Sequence, residues 1–558
     1  MSRETHEPAG LPDVPVLAVT GTWEIVFQRG AKEALEAALP RFLMPRRWFG
    51  AKARNIRGIR IVEVVPILQD AYLVLIRADY AAGEPDTYML PMAFMAGAAA
   101  QAFSRERPTA VIATFQTGQG SGILYDAVWN LEFCQALLEA IIQRREYPGT
   151  TGNVVAIAAS VLPRLRGDVS QPLPPVLLGV EQSNTSVRYG EQLILKLYRR
   201  LEVGINPDQE IGQFLTEKAA FANVPPVAGV LEFRRRKPAG GEPITLALLQ
   251  GFVPNHGDAW HYTQHSLTDY FEAARARGER NGANLPLPHA PLLELIRGDI
   301  PAEAEQFIGA YMASARLLAR RTAELHLALV SDPADPVFAP EPFTADCQDT
   351  MHRSMRELTD RIVQLLRARF DALPEAGKAD ARQVLSLEKQ IAARFDALLD
   401  RPIHALRSRI HGDYHLGQVL YTGQDFMIID FEGEPARPLS ERQMKRSPLQ
   451  DVAGMLRSFH YAAYAAYFSQ AQDGAPIPEL DPWARFWHLW VSTAYLKTYM
   501  EVVRGAAFLP SSPDEVKLLL DVYLVEKAVY ELGYELNNRP GWVTIPLQGI
   551  LQTVQAAR

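Results

Sequence analysis

Cysteine is nearly absent. The 558-residue chain has two, Cys134 and Cys347, far apart and in no metal-ligand pattern. They supply no disulfide framework, so a reducing cytoplasm is the expected location. A basic excess is missing as well: the formal net charge is −7, which disfavours nonspecific nucleic-acid binding. Long apolar runs are missing too. No window approaches the roughly 20 apolar residues of a membrane helix, and the Ala-rich stretch from Met92 to Phe103 is too short. The first residues are polar and mixed in charge, unlike a signal peptide, and no internal repeat is visible. What is present is 48% hydrophobic and 22% charged residues, which excludes a mostly disordered chain. The length predicts roughly two to four structural units of about 150 residues each.

The residues divide into three regions. Residues 1–110 mix short strand-like and helical runs, and Ile59–Val65 and Tyr72–Ile76 read as paired strands on their β-branched content. A cationic run (Arg46, Arg47, Lys52, Arg54, Arg57) is interleaved with Trp48 and Phe49, and reads as a solvated, partly packed segment rather than a polyanion site. Residues 111–255 are strand-rich, with one helical stretch around Trp129–Gln143. Residues 256–558 are helix-rich, with apolar residues at helical spacing such as Leu358, Ile362, Leu365 and Leu366. Leu373-Pro374-Glu375-Ala376-Gly377 breaks a helical hairpin near residues 345–400. Gly118-Gln119-Gly120-Ser121-Gly122 has no following Gly-Lys-Ser/Thr and reads as a β-turn.

The strongest chemical signal is His411-Gly412-Asp413-Tyr414-His415-Leu416-Gly417-Gln418, followed by Ile428-Ile429-Asp430-Phe431-Glu432. Phosphoryl transfer from ATP needs a carboxylate to accept the proton of the attacking hydroxyl, and an amide and a second carboxylate to hold Mg²⁺. Asp413 and Gln418 are five residues apart, the interval of base and metal ligand in a kinase catalytic loop. Asp430 follows an apolar strand and would be displayed at its end. The alternation of His411, Asp413 and His415 also suits a metal hydrolase, but that reading leaves Gln418 and Asp430 unexplained.

A nucleotide site is legible upstream. Pro175–Leu178, Val187–Tyr189 and Leu193–Tyr198 read as three strands. The loop between the first two lacks the glycines of a protein kinase and offers Ser183, Asn184, Thr185 and Ser186 to phosphate oxygens. Alternation turns Lys196 away from Leu195 and Leu197, where its ammonium can bind phosphate. A helix starting at Pro207 carries Glu210 as the expected partner of Lys196. The strand Ile244–Leu249 runs through Gln250 to Phe252, a hinge-like segment to meet the adenine edge.

Four segments resemble the bacterial maltokinases, relatives of the aminoglycoside phosphotransferases. They are Arg46–Lys52, His411–Leu420, Asp430-Phe431-Glu432-Gly433-Glu434-Pro435 and Arg446–Phe459; the ending Glu531–Pro540 also looks like that family's. The resemblance runs from about residue 20 to 550. It implies an α+β, bilobed, protein-kinase-like (aminoglycoside phosphotransferase-like) fold with an N-terminal cap subdomain, an intermediate subdomain carrying the ATP site, and a mostly helical C-terminal lobe. It further implies ATP-dependent phosphorylation of maltose at its anomeric hydroxyl, feeding α-glucan synthesis. By that analogy Asp413 is the base, Gln418 and Asp430 hold Mg²⁺, and Lys196 binds phosphate. Similar kinases occur fused to trehalose synthase, a possible functional partner.

For the sugar, Lys527, Tyr530, Glu531 and Tyr534 fall on one helix face, with His415 and Glu432 as further candidates near the metal. Arg437 and Arg442 are expected to form salt bridges. A kinase of another sugar, such as glucosamine, and a non-catalytic regulatory module on a kinase scaffold are the rival readings.

Overall fold

A computed structural model describes residues 14–555 apart from 19–21, 29, 53, 118–119, 180–182, 237–240, 277–284, 289 and 471–476. The chain divides into two compact units, Met1–Gln213 with Pro225–Val253, and Phe214–Val224 with Pro254–Arg558.

The first unit holds two seven-stranded sheets. The first contains β1 (Val16–Ala18), β2 (Ile56–Leu68), β3 (Ala71–Tyr80), β4 (Asp86–Ala96), β5 (Val111–Thr117) and β6 (Gly120–Asp126) in the order β1-β5-β6-β4-β3-β2. Alternation along β3 explains why it is buried on both faces. Val74 and Ile76 enter a core with Trp48 and Phe49, while Leu73 and Leu75 enter a second core with the other sheet. The expected pairing of Ile59–Val65 with Tyr72–Ile76 is that of β2 and β3. Because β5 and β6 belong to this sheet, a boundary at residue 110 cuts through it. Thr117 and Gly120 are cross-strand partners flanking Gly118 and Gln119, which lie outside the described residues.

Within the cationic run, Trp48 and Phe49 are buried, Arg54 pairs with Asp86 at 3.1 Å, and the Arg46 guanidinium lies 4.1 Å from the Phe42 ring centroid. The segment is packing, with charges at its rim.

The second sheet has the order β7-β8-β13-β14-β11-β10-β9, from β7 (Glu146–Pro148), β8 (Gly152–Ala158), β9 (Pro175–Leu177), β10 (Asn184–Tyr189), β11 (Leu193–Tyr198), β13 (Val227–Arg235) and β14 (Ile244–Gly251). The short β12 (Arg200–Leu201) pairs with β4 and ties the two sheets together. Helices α1 (Ala31–Leu43) and α2 (Leu131–Gln143) flank them, and α3 begins at Pro207 (Pro207–Glu217).

The second unit is mainly helical: α4 (Ala259–Ala276), α5 (Tyr311–Leu329), α6 (Ala345–Arg369), α7 (Glu375–Ser386), α8 (Glu388–Asp396), α9 (Leu449–Ser469), α10 (Asp481–Val502), α11 (Pro513–Asn538) and α12 (Thr544–Gln555). Helix α10 packs on α5 and α9, and α11 packs on α9, α6 and α12. The segment 345–400 is three helices rather than the expected hairpin. Pro374 marks the first break, but the second, at Leu387, carries no glycine or proline to announce it. Among the described residues no helix is long and apolar enough to cross a membrane.

Candidate active site

The catalytic-loop segment is held from beneath by α9. Asp451, 1% exposed, accepts the His411 N–H at Oδ2 (2.8 Å) and the Gly412 N–H at Oδ1 (2.9 Å). Its Oδ2 also takes a hydrogen bond from His326 Nε2 of α5 at 3.1 Å, and His326 Nδ1 in turn accepts the Tyr499 hydroxyl at 2.9 Å. Ser458 Oγ accepts the Leu416 N–H at 3.1 Å. Gly454 lets the helix come this close: a Cβ there would lie 2.6 Å from the Tyr414 carbonyl oxygen. The loop is thus bonded through its backbone, which leaves the Asp413 carboxylate to meet Lys527.

His411 ties this loop to the next. Its Nε2–H donates to the Ile429 carbonyl at 2.9 Å, and Nδ1 accepts the Asp413 N–H at 3.4 Å. After Gln418 the strands Val419–Tyr421 and Phe426–Ile428 form a hairpin, and the Ile429 N–H donates to the Gln418 carbonyl at 3.0 Å. Gln418 and Asp430 are therefore brought beside one another, although they stand twelve residues apart. Asp430 has φ +68°, a left-handed conformation uncommon outside glycine that re-aims its side chain at the end of the hairpin. Carboxylate oxygens of Asp430 and Glu432 lie within 4.8 Å of one another. Two carboxylates and an amide are hard oxygen donors of the kind Mg²⁺ takes, so this set fits that ion.

Opposing effects act on the Asp413 carboxyl. Burial pushes its pKa up, but the neighbouring charges, Lys527 foremost, outweigh burial and hold it below the ordinary carboxylate range. Lys527 Nζ lies 3.2 Å from Asp413 Oδ1. His415 accepts the Gly417 N–H at Nδ1 (3.0 Å), which leaves Nε2 on the side of Asp413 Oδ2, 3.9 Å away; burial holds the imidazole below its ordinary pKa.

On α11 the four residues expected to face a sugar divide. Lys527 meets Asp413, and Tyr530 lies near Glu434; burial and then that charge push the Tyr530 pKa up. Glu531 is turned to the α9 side, where Arg457 binds it through Nε (3.0 Å) and Nη2 (2.7 Å). Tyr534 is 47% exposed, with the Arg539 guanidinium 5.3 Å from its ring centroid. One stripe of a helix subtends a wide arc, and a cation on the neighbouring helix captures the residue at its edge. Arg437 bridges Glu434 and Glu526, each at 3.0 Å, as expected, whereas Arg442 braces this loop by donating to the Glu432 carbonyl at 2.8 Å.

In the first unit, Lys196 and Tyr198 share a strand face, and both reach Asp208 Oδ2, at 2.9 and 3.0 Å. Asp208, two residues before the expected Glu210, is thus a carboxylate partner of Lys196. Asn206 Oδ1 accepts the Asp208 N–H (2.9 Å) and fixes the start of α3. Asp208→Asn is expected to raise the ATP KM about tenfold, with Glu210→Gln changing it less, by initial-rate kinetics. The reverse order would make Glu210 the main carboxylate serving Lys196.

The expected hydroxyl-rich loop is shorter than the sequence suggests, because β10 begins at Asn184. Ser183 precedes the strand and is exposed; Glu181 and Gln182 lie outside the described residues. Ser186 is directly across from Lys196. Thr185 alternates to the opposite face, where its hydroxyl accepts from Arg199 (2.9 Å), itself paired with buried Asp126 at 2.7 Å. Thr185 is thus an anchor within the sheets rather than a phosphate ligand. At the hinge-like segment, the Gly251 N–H goes to the Pro226 carbonyl and the Phe252 N–H to the Gln192 carbonyl, so neither amide is left for an adenine. Gln250 lies within β14 opposite Ile194. Asp208, Asp451 and His326 were not assigned roles from sequence, although an acidic first turn at Pro207 marked the place of Asp208.

Residues 42–129 match the maltokinase N-terminal cap domain. The chain is 25% identical over 370 residues to a glucosamine kinase of Streptacidiphilus jiangxiensis, covering 66% of this chain and 70% of that protein. It is 24% identical over 417 residues to a glucosamine kinase of Mycolicibacterium smegmatis, covering 74% and 85%. A solved glucosamine kinase in complex with glucosamine, ADP and inorganic phosphate superposes with a TM-score of 0.59 at 19% identity, over 96% of this chain and 99% of that one. A second crystal form gives 0.58 at 19% identity, over 90% and 96%. Together these show a kinase-like α+β fold in which residues 42–129 match a maltokinase-type cap domain.

Proposed function

We propose that the chain transfers the γ-phosphate of ATP to the anomeric hydroxyl of maltose, forming maltose 1-phosphate. The observation that carries phosphoryl transfer is the loop itself: His411 and Gly412, just before Asp413, are pinned through their backbone N–H groups by Asp451, and Gln418 lies beside Asp430. In this reading Asp413 accepts the proton of the sugar hydroxyl as its oxygen bonds to the γ-phosphorus and ADP leaves. Gln418, Asp430 and Glu432 would hold Mg²⁺, which supplies charge neutralisation for the β- and γ-phosphates. Lys196, kept in place by Asp208, binds phosphate. Lys527 and Tyr530 contact the sugar near Asp413.

Charge balance favours a neutral acceptor. Asp413 faces Lys527, Glu434 and Glu526 face Arg437, Glu531 faces Arg457, and Glu535 faces Arg539 at 2.8 Å. A sugar ammonium would add positive charge beside Lys527 where these carboxylates already have cationic partners. The cap-domain match and the Asp-Phe-Glu-Gly-Glu-Pro segment agree with maltose. The names of the relatives favour glucosamine as the second reading. The deciding experiment is ATP consumption with Mg²⁺ and maltose, glucose, glucosamine or trehalose, with the phosphate position read by NMR. Maltose is expected to give the highest kcat/KM, with phosphate on the anomeric carbon; a higher value for glucosamine would replace maltose as the acceptor.

A further inference from the structure

We propose that a cavity in the helical unit, away from the catalytic loop, binds a small apolar organic anion and thereby weakens the sugar site through Arg457. The cavity has a volume of about 350 Å³ and lies between α9, α10, α11, α12 and the turn at Leu292–Leu295. That volume is within the usual range for small-molecule sites. Leu292, Leu456, Leu489, Leu520 and Leu524 make its walls. Three cationic side chains also line it, each with a carboxylate partner: Arg457 with Glu531, Arg485 with Asp481 at 2.8 Å and Lys517 with Asp521. Apolar walls with cations at one end suit an aromatic or aliphatic carboxylate or sulfonate, which competes with these carboxylates for them, better than a polyol.

The polar end of the cavity is built into the fold. Arg457 is 4% exposed, and it fits because Gly549 has no side chain: a Cβ there would be 2.0 Å from Arg457 Nη1. His488 also lines the cavity, and burial with the nearby Arg457 charge holds its pKa down to about 3, so it is a neutral hydrogen-bonding group at ordinary pH. The ring centroid of His460, 1% exposed, is 4.9 Å from that of His488, and among the described residues neither of its ring nitrogens has a hydrogen-bond partner. Buried polar atoms without partners are uncommon and point to an interaction still to be made.

Two helices are shared between this cavity and the catalytic loop. Helix α9 presents Leu456 and Arg457 to the cavity, and Asp451 and Ser458 to the loop. Helix α11 presents Leu520 and Leu524 to the cavity and Lys527 to Asp413. Glu531, the residue Arg457 binds, is one turn from Lys527 on α11. An anion that draws Arg457 away releases Glu531 to attract Lys527, which then leaves Asp413. The binding half of this proposal is independent of the proposed acceptor, whereas the coupling half rests on Lys527 serving the sugar.

The test is calorimetric titration of the full chain with 8-anilinonaphthalene-1-sulfonate, with and without saturating ATP. One saturable site is expected, retained with ATP and lost in Leu524→Trp, which fills the cavity, and in Leu292→Trp at its rim. Displacement by ATP, or undiminished binding in a folded Trp variant, would overturn the site. In kinase assays the probe is expected to raise the sugar KM about fivefold in the native chain and not in Leu524→Trp. Binding with an unchanged KM would overturn the coupling. Absence of turnover with every sugar would instead remove the proposed function, while the titration still decides the site.

Discussion

Asp413→Asn is expected to lower kcat by about 10²–10⁴-fold while leaving ATP binding within twofold of native. The amide keeps the shape of the carboxylate but accepts no proton, and the backbone bonds that Asp451 makes to His411 and Gly412 do not involve the replaced side chain. Nucleotide affinity by calorimetry and turnover by ADP release separate the two effects; native turnover in this variant would remove Asp413 from the mechanism. The pH profile carries a second test of the same group. A carboxyl held below its ordinary value of about 3.9 is ionised, and competent as a base, at every pH above that value, so the acid limb of kcat/KM falls below about pH 4. Lys527→Met removes the main charge opposing burial. Burial then raises the carboxyl, and the acid limb moves to higher pH. An acid limb that stays in place would show that Lys527 does not set the state of Asp413.

The parts of the site legible in sequence are those carried by short spacings. Asp413 and Gln418 lie in one loop, and Asp430 follows an apolar strand, so local chemistry and periodicity suffice to bring them together. The parts not legible depend on partners from distant elements. Asp451 reaches the loop only because α9 packs beneath it, and His326 only because α5 and α9 both pack on α10; nothing in their local sequence distinguishes them from ordinary helix residues. Thr185 was misread because the start of β10 moved by a few residues, and in a strand one step of alternation exchanges one face for the other. Asp208 escapes notice for a similar reason: it shares the first turn of α3 with Glu210, and only the approach of Lys196 and Tyr198 from β11 marks it.

Asp451→Ala is expected to cost the helical unit about 3–5 kcal/mol and to lower kcat in the protein that remains folded. The carboxylate takes hydrogen bonds from two loop N–H groups and from His326, all in surroundings closed to solvent. Deleting it leaves three donors without an acceptor, each a cost of about 1–3 kcal/mol if water does not enter. Thermal unfolding measures that loss. A purely structural role would stop there, so the kinetic readout distinguishes the two: if Asp451 positions the loop, kcat falls by about 10²-fold at a temperature where the variant is folded, because small displacements of a reacting group are costly. The ATP KM stays near native, since Lys196 and Asp208 belong to the other unit. Asp451→Asn restores part of the stability through its remaining carbonyl oxygen, but its amide opposes one of the N–H donors, so kcat is expected to recover less than the melting temperature does. Equal recovery of both would reduce Asp451 to a packing residue.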